Sequence, residues 1–355
     1  MMGAVRNYFN DLVQGFGQGW NRFWFQPSDP AALGLVRLGA GLVAFYLVLT
    51  YTPDLETFFG ADGLVSREML ASLDLESNGA DRLSVAHQIR ESMPRYYRFS
   101  YLDYLDSPGL LKAGHWAGLA VLALFAAGLF TRVTSVLALL VVLSYIHRGP
   151  LLTAQVEPVL AFVLFYLCLG PAGAEWSLDR WLALRRARTV LSASSSGPKG
   201  AASDPPAPRF SSAATISLRL IQVHLALLYV MMAVGKLSSD VWWSGSALWW
   251  LIAKTESRLV DFTWLHGNFA RLLVDAMTNG VVLYQLAFPI LVWNRLARPL
   301  VLGLGVIVWG LLALIAGMVP FAFMMLVASL AFVPGETLRA VLPDCCGARR
   351  PSAAA

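Results

Sequence analysis

Apolar stretches recur along this chain at about 31–51, 114–130, 132–146, 155–171, 213–235, 280–294, 297–317 and 319–334, and that recurrence constrains the fold more than any motif. Hydrophobic residues make up 57% of the chain and charged residues only 14%, against about 25% charged in soluble domains. That much apolar surface exceeds what a soluble core could hide, so lipid must cover the remainder. In lipid each backbone N–H and C=O must be satisfied within its own segment, which selects helices. The sequence therefore predicts an all-α, polytopic transmembrane helix bundle of about eight spans, several of them short.

Other classes fall away on the same reading. Cys168 lies in an apolar run and Cys345 stands beside Cys346, which makes neither a disulfide framework nor a zinc ribbon. No CxxC, HExxH, GxGxxG or Walker-type loop occurs, so no metal is expected. The net charge of +5 is spread over many loops, which argues against nucleic-acid binding. The first 24 residues lack the apolar centre of a signal peptide. Instead Val5, Phe9, Leu12, Phe16, Trp20 and Phe23 recur at helical spacing. Residues 1–27 then form an amphipathic helix, lying in the membrane interface or packed on other protein.

The remaining organisation follows from what lies between the apolar stretches. Residues 28–190 form a first half of four spans with an external cap at 52–113, rich in turn residues such as Gly60-Ala61-Asp62-Gly63. The Ser/Pro/Gly/Ala tract 191–212 has little to bury and reads as a disordered linker. A second half of four spans, 213–334, contains an interfacial loop at 237–279, and 335–355 is a tail. Five of the twelve tryptophans, Trp242, Trp243, Trp249, Trp250 and Trp264, fall in that loop, as expected for a segment at the headgroup boundary. Lys and Arg number fourteen on the side of both termini and eleven on the other. Arg185, Arg186 and Arg188 closely follow the fourth span, so both termini are expected in the cytoplasm.

An ionisable side chain near mid-bilayer costs about 2.5–3.5 kcal/mol on insertion scales, so each needs a partner or a task. Arg37 lies within the first span and Glu157 opens the fourth, after His147 and Arg148. Structurally, Arg37 or Arg148 pairs with Glu157, or each snorkels to the nearer interface. In the fifth span Gln222, Tyr229 and Lys236 are seven apart, so they share one stripe of the helix. Lys236 meets the Trp-rich loop, where it either snorkels or is held in a Trp-roofed apolar cavity. Desolvation in such a cavity disfavours the ammonium and makes a neutral amine available as a general base.

Four segments in order resemble one family. ALGLVRLGAGLV followed by FFGADGLVSREML, then SYIHRGPLLTAQVEP continuing to LGPAGAEWSLDRW, and finally YVMMAVGKLSSDVWWSGSALWW are similar to the horizontally transferred transmembrane (HTTM) domain, the membrane domain shared with vitamin K-dependent gamma-carboxylases. The resemblance covers roughly residues 28–334. It implies that Lys236 is the base that deprotonates a reduced naphthoquinone of the vitamin K type. O2 is then consumed, the epoxide forms, and the strong base produced takes a γ-proton from a protein or peptide glutamate, to which CO2 adds. The chain departs from the carboxylases at Gly235, where they carry a second lysine, and at Trp309, in a helix where family members often have a histidine. The tail 335–355 has no room for the β-rich region that follows the animal membrane domain.

Two functional expectations follow. In the first, the protein is a carboxylase-like or quinone-epoxidising membrane enzyme with Lys236 as base. Gln222, Tyr229, Trp242 and Trp243 would line its pocket, and Arg37, His147, Arg148 and Glu157 would position the reactants. In the second it is a non-catalytic scaffold, maturation factor or lipid-handling protein, and the same polar groups lock helices together.

Overall fold

A computed structural model describes residues 2–60, 63–64, 99–193, 210–254, 259–260 and 267–342. The described part is all helical apart from one isolated bridge between Ser28 and Ser211. Six helices are long and apolar enough to cross a membrane: α2 (Ala31–Thr50), α4 (Pro108–Ala127), α5 (Thr131–Arg148), α8 (Ser212–Leu237), α11 (Asn268–Leu291) and α12 (Arg298–Ala316). A bent pair makes up to seven. This fits a multi-pass membrane protein.

The expected eight is reduced for two reasons. α6 (Val156–Leu169) has only 14 residues, about 21 Å of helix against a hydrocarbon core of about 30 Å. The last apolar stretch forms α13 (Val319–Ser329) and a 3-10 turn to Phe332, then bends by 114° into α14 (Gly335–Val341). What reads as the start of a tail is thus a helix docked on the bundle. A second correction concerns 237–279. Short helices α9 (Asp240–Trp243) and α10 (Ala247–Ala253) occupy its first part, but α11 begins at Asn268. Arg271, Asp275 and Asn279 disguise this segment as a loop, whereas Ala270, Val274 and Thr278 form a buried stripe at four-residue spacing.

Local chemistry sets the helix ends. Ser107 Oγ accepts the Leu110 N–H at 3.3 Å and Pro108 occupies the first turn of α4. Gly128, at φ 76°, ends the same helix in the left-handed region. Gly317, at φ 68°, ends α12 likewise. α2 is the central helix, its Leu33, Val36, Ala40, Val43 and Ala44 packed between α4, α6 and α13. Gly41 permits the α2–α4 approach, since a Cβ there would lie 2.8 Å from Ala126 Cα. Outward faces carry exposed Trp116, Leu227, Met231, Leu283, Ile290, Leu304 and Ile307, an apolar surface suited to lipid contact.

Helix α1 (Met2–Phe25) forms as expected and exposes Leu12, Phe16 and Trp20, while Phe23 packs against Trp293. α3 (Leu55–Phe59) and a 3-10 turn at Tyr101–Tyr104 are the described parts of the 52–113 segment, and α4 already starts at Pro108. The cap expected over 65–98, the linker over 194–209, Trp264 and the Cys345–Cys346 pair lie outside the described residues. α7 (Leu178–Ala193) completes the first half. The starts of α2, α5, α8 and α12 gather at one end of the bundle, called here the terminal end. Those of α4, α6, α11 and α13 mark the far end.

Candidate functional site

The stripe expected on α8 exists, but it does not line one pocket. At a rise of about 1.5 Å per residue, Gln222 and Lys236 are about 21 Å apart along the helix. Gln222 sits near the terminal end, where its Nε2 donates to the Ala331 carbonyl at 2.6 Å and its Oε1 accepts from Arg219 at 2.9 Å. Tyr229 is in the middle and fully buried. Its ring stacks on Phe288 at 3.9 Å, its hydroxyl lies 3.2 Å from that of Tyr284, and it accepts the Trp309 indole N–H at 2.7 Å. Tyr229 is therefore a core residue and not a pocket wall. Trp309 is its hydrogen-bond donor.

Lys236 lies at the far end of α8, half-buried. Its Nζ is 4.9 Å from the centroid of the Trp242 ring and 3.5 Å from the Met232 carbonyl. No described carboxylate comes within ion-pair distance. The Trp243 indole N–H donates to the Leu237 carbonyl and turns that residue outward, where it is exposed. A short stretch, Ser238-Ser239 followed by α9, thus folds Trp242 back over the amine.

The four residues expected to position reactants divide between the two ends. Arg37 belongs to the terminal end and is fully buried. Its Nη1 donates to the Ala172 carbonyl at 3.0 Å and its Nη2 to the Trp176 carbonyl at 2.6 Å. It does not pair with Glu157. Those carbonyls belong to the segment LGPAGAEWSLDRW, which acts as a clasp. Asp179 in the same segment accepts the N–H groups of Phe130 and Thr131, both at 2.9 Å, and caps α5. Gly128 is needed here twice over, for its positive φ and because a Cβ would meet the Arg37 guanidinium at 2.4 Å.

At the far end, Arg148 is buried, with Nη2 donating to the Gly60 carbonyl at 3.0 Å and Nε 3.3 Å from Asp103. His147 Nδ1 donates to the Phe99 carbonyl at 2.9 Å. Glu157 accepts the Ala154 N–H at 2.9 Å, fixing the turn into α6. Each of the three holds a loop to a helix end.

One constellation escaped the sequence reading. His115 is fully buried, with Nε2 2.9 Å from Thr52 Oγ1 and Nδ1 2.7 Å from the Tyr145 hydroxyl. Tyr51 stacks on Tyr145 at 5.8 Å. Tyr51, Tyr145 and Glu157 also border a cavity of about 20 Å³, room for a single water. Thr52, His115 and Tyr145 come from three different helices or their ends, so no local spacing announces them.

The terminal end also holds an ion network. Asp29 accepts two hydrogen bonds from Arg339, both at 2.9 Å, and Glu175 lies 3.2 Å from Arg339 and 3.0 Å from Arg180. Burial pushes the Asp29 carboxyl up, but the Arg339 and Ala31 donors outweigh it and hold Asp29 below its ordinary value. For Glu175 burial wins, and its carboxyl is raised despite both arginines.

Among the described residues no group of three or more His, Cys, Asp or Glu side chains could hold a metal ion. No protein-family profile, curated protein or solved structure matches the chain.

Proposed function

We propose that the protein is an integral membrane enzyme acting on a reduced quinone at the far end of α8, with Lys236 as its base. One observation supports this reading above the others. The Lys236 Nζ rests against the Trp242 ring with no described carboxylate within ion-pair distance, while the buried Arg37 and Arg148 have carbonyl or carboxylate partners. An amine so placed can accept a proton from a phenol docked beside it. The Trp242 face, which already attracts the cation, would stack on a flat aromatic ring.

The chemistry is that implied by the family resemblance. The amine takes a phenolic proton from the hydroquinone, and O2 oxidises the ring. One oxygen enters the epoxide, and the other leaves as water with the two hydroquinone hydrogens. A basic intermediate formed on the way removes a glutamate γ-proton, and CO2 takes its place on carbon. Gln222, Tyr229 and Arg37 have no part in this site. Trp243 faces outward, so the binding groups of the proposal reduce to Trp242. The charge distribution between loops supports an orientation with both termini in the cytoplasm, in which Lys236 would face the opposite side.

A second reading has its own support. Arg37, Arg148, Gln222 and Tyr229 are all engaged in contacts between elements distant in sequence, as expected of a non-catalytic scaffold, maturation factor or lipid-handling protein. Incubating membranes with a reduced naphthoquinone and O2 separates the two. Epoxide formation by the wild type that falls about 100-fold or more in Lys236→Ala is the expected result. Equal epoxide in both removes Lys236 from the chemistry, and none in either favours the scaffold.

A further inference from the structure

A cavity of about 320 Å³ opens at the terminal end, where α1, the start of α8, the α11–α12 turn and the 331–335 segment meet. We infer that it binds a phosphate group, supplied by the headgroup of an anionic lipid. The inference stands apart from Lys236 and the quinone reading.

Three guanidiniums line the cavity: Arg22 on α1, Arg219 on α8 and Arg298 at the start of α12. None has a described carboxylate within ion-pair distance. The acidic lining residue, Asp29, is already neutralised by its paired hydrogen bonds to Arg339. The arginines are also held in place. Arg219 donates from Nε to the Phe23 carbonyl at 3.2 Å and from Nη1 to Gln222 at 2.9 Å, and its guanidinium lies 4.3 Å from the Phe23 ring centroid. Arg298 donates from Nε to the Val292 carbonyl at 3.1 Å. Each anchor occupies part of the guanidinium and leaves further N–H donors for an oxyanion.

Bringing like charges together lowers stability unless something offsets their repulsion. A phosphate does so, and the planar donor fork suits its oxygens. The lipid source follows from the setting. Trp293 and Phe332 supply an apolar wall. Beside Arg298 the surface exposes Leu296 and Leu300, and α1 exposes Phe16 and Trp20, where acyl chains would lie. Basic pockets between membrane helices bind acidic headgroups by this logic.

The test uses the purified full-length chain in detergent, with melting followed as phosphatidylglycerol, phosphatidylcholine or inorganic phosphate is added. The expected result is stabilisation by phosphatidylglycerol, little by phosphatidylcholine, and an apparent affinity about fivefold weaker for each arginine removed. Arg219→Gln with Arg298→Gln tests the half-buried pair. Because Arg219 also packs on α1, Arg22→Gln, at an exposed position, supplies a variant that keeps the fold. Arg271→Gln at the far end is the control and should behave as wild type. Inorganic phosphate that stabilises as strongly as the lipid, with the same loss in the variants, keeps the phosphate site but assigns it to a soluble anion. Equal responses to both lipids with none to phosphate, or variants that respond as wild type does, overturn the inference.

Discussion

Two cations within membrane helices meet opposite fates. Around Arg37 at the terminal end, the 172–176 backbone curls so that two carbonyls converge on one guanidinium. Around Lys236 at the far end, the nearest elements offer a ring face and one distant carbonyl. Both residues look alike by hydropathy. A buried charge is structural where the fold has built acceptors around it, and available for chemistry where it has not.

Removing the clasp's centre should produce the largest effect. Arg37→Ala leaves the buried Ala172 carbonyl and the part-buried Trp176 carbonyl without their donor, and a void between α2, α4 and the 170–180 segment. The expected loss is about 3–5 kcal/mol, the range for breaking a buried charged contact. Arg37→Lys should recover only part of it, because an ammonium lacks the fork that reaches both carbonyls. Melting of the detergent-purified protein and its recovery as a monodisperse peak measure this. A melting temperature within a degree of wild type would deny the clasp its role.

Next in size is the cap that the same segment places on α5. Asp179→Ala frees the N–H groups of Phe130 and Thr131, and Phe130 already stands at φ 50°. A loss of about 1–2 kcal/mol is expected, with Asp179→Asn intermediate. If Asp179→Ala proves harmless, the clasp reduces to Arg37 alone.

The helices, and the need for partners at Arg37 and Lys236, are legible in the sequence because hydropathy and charge are local properties. The partners are not legible. Ala172 and Trp176 lie 135 and 139 positions from Arg37, and His115 finds Tyr145 and Thr52 only when three helix ends meet. The seven-residue stripe on α8 states correctly which face is inward. It says nothing of depth, which is why Gln222, Tyr229 and Lys236 seemed one pocket and occupy three levels. The start of α11 has no long apolar run, and an amphipathic helix of mixed polarity has the composition of a loop.

Acidity should act on the terminal end with two opposing signs. Glu175 has a raised pKa, so the folded state takes up its proton first, and stability rises as pH falls towards 4.5, the ordinary value for that group. Asp29 has a lowered pKa, so its contribution is present above its ordinary 3.8 and is lost as pH falls below that through the folded value. Melting temperature against pH should therefore climb gently below neutrality and drop in strong acid. Glu175→Gln should abolish the climb and Asp29→Asn the drop. Neither variant should change the response to substitution at Lys236, at the other end of the bundle.

The smallest effect on stability belongs to Lys236, and that smallness is the point of the contrast with Arg37. Lys236→Met keeps the apolar stem of the side chain and removes a charge with no ion-pair partner among the described residues. The contact with Trp242, about 0.5–1 kcal/mol at a partly exposed site, and the long hydrogen bond to the Met232 carbonyl are forfeited, and some of that returns through relief of desolvation. A melting temperature nearly equal to wild type is expected, along with a change in tryptophan emission as the cation leaves the Trp242 face. Should Lys236→Met instead unfold the protein as readily as Arg37→Ala, Lys236 is a structural lock like the others, and its candidacy as a base ends with it.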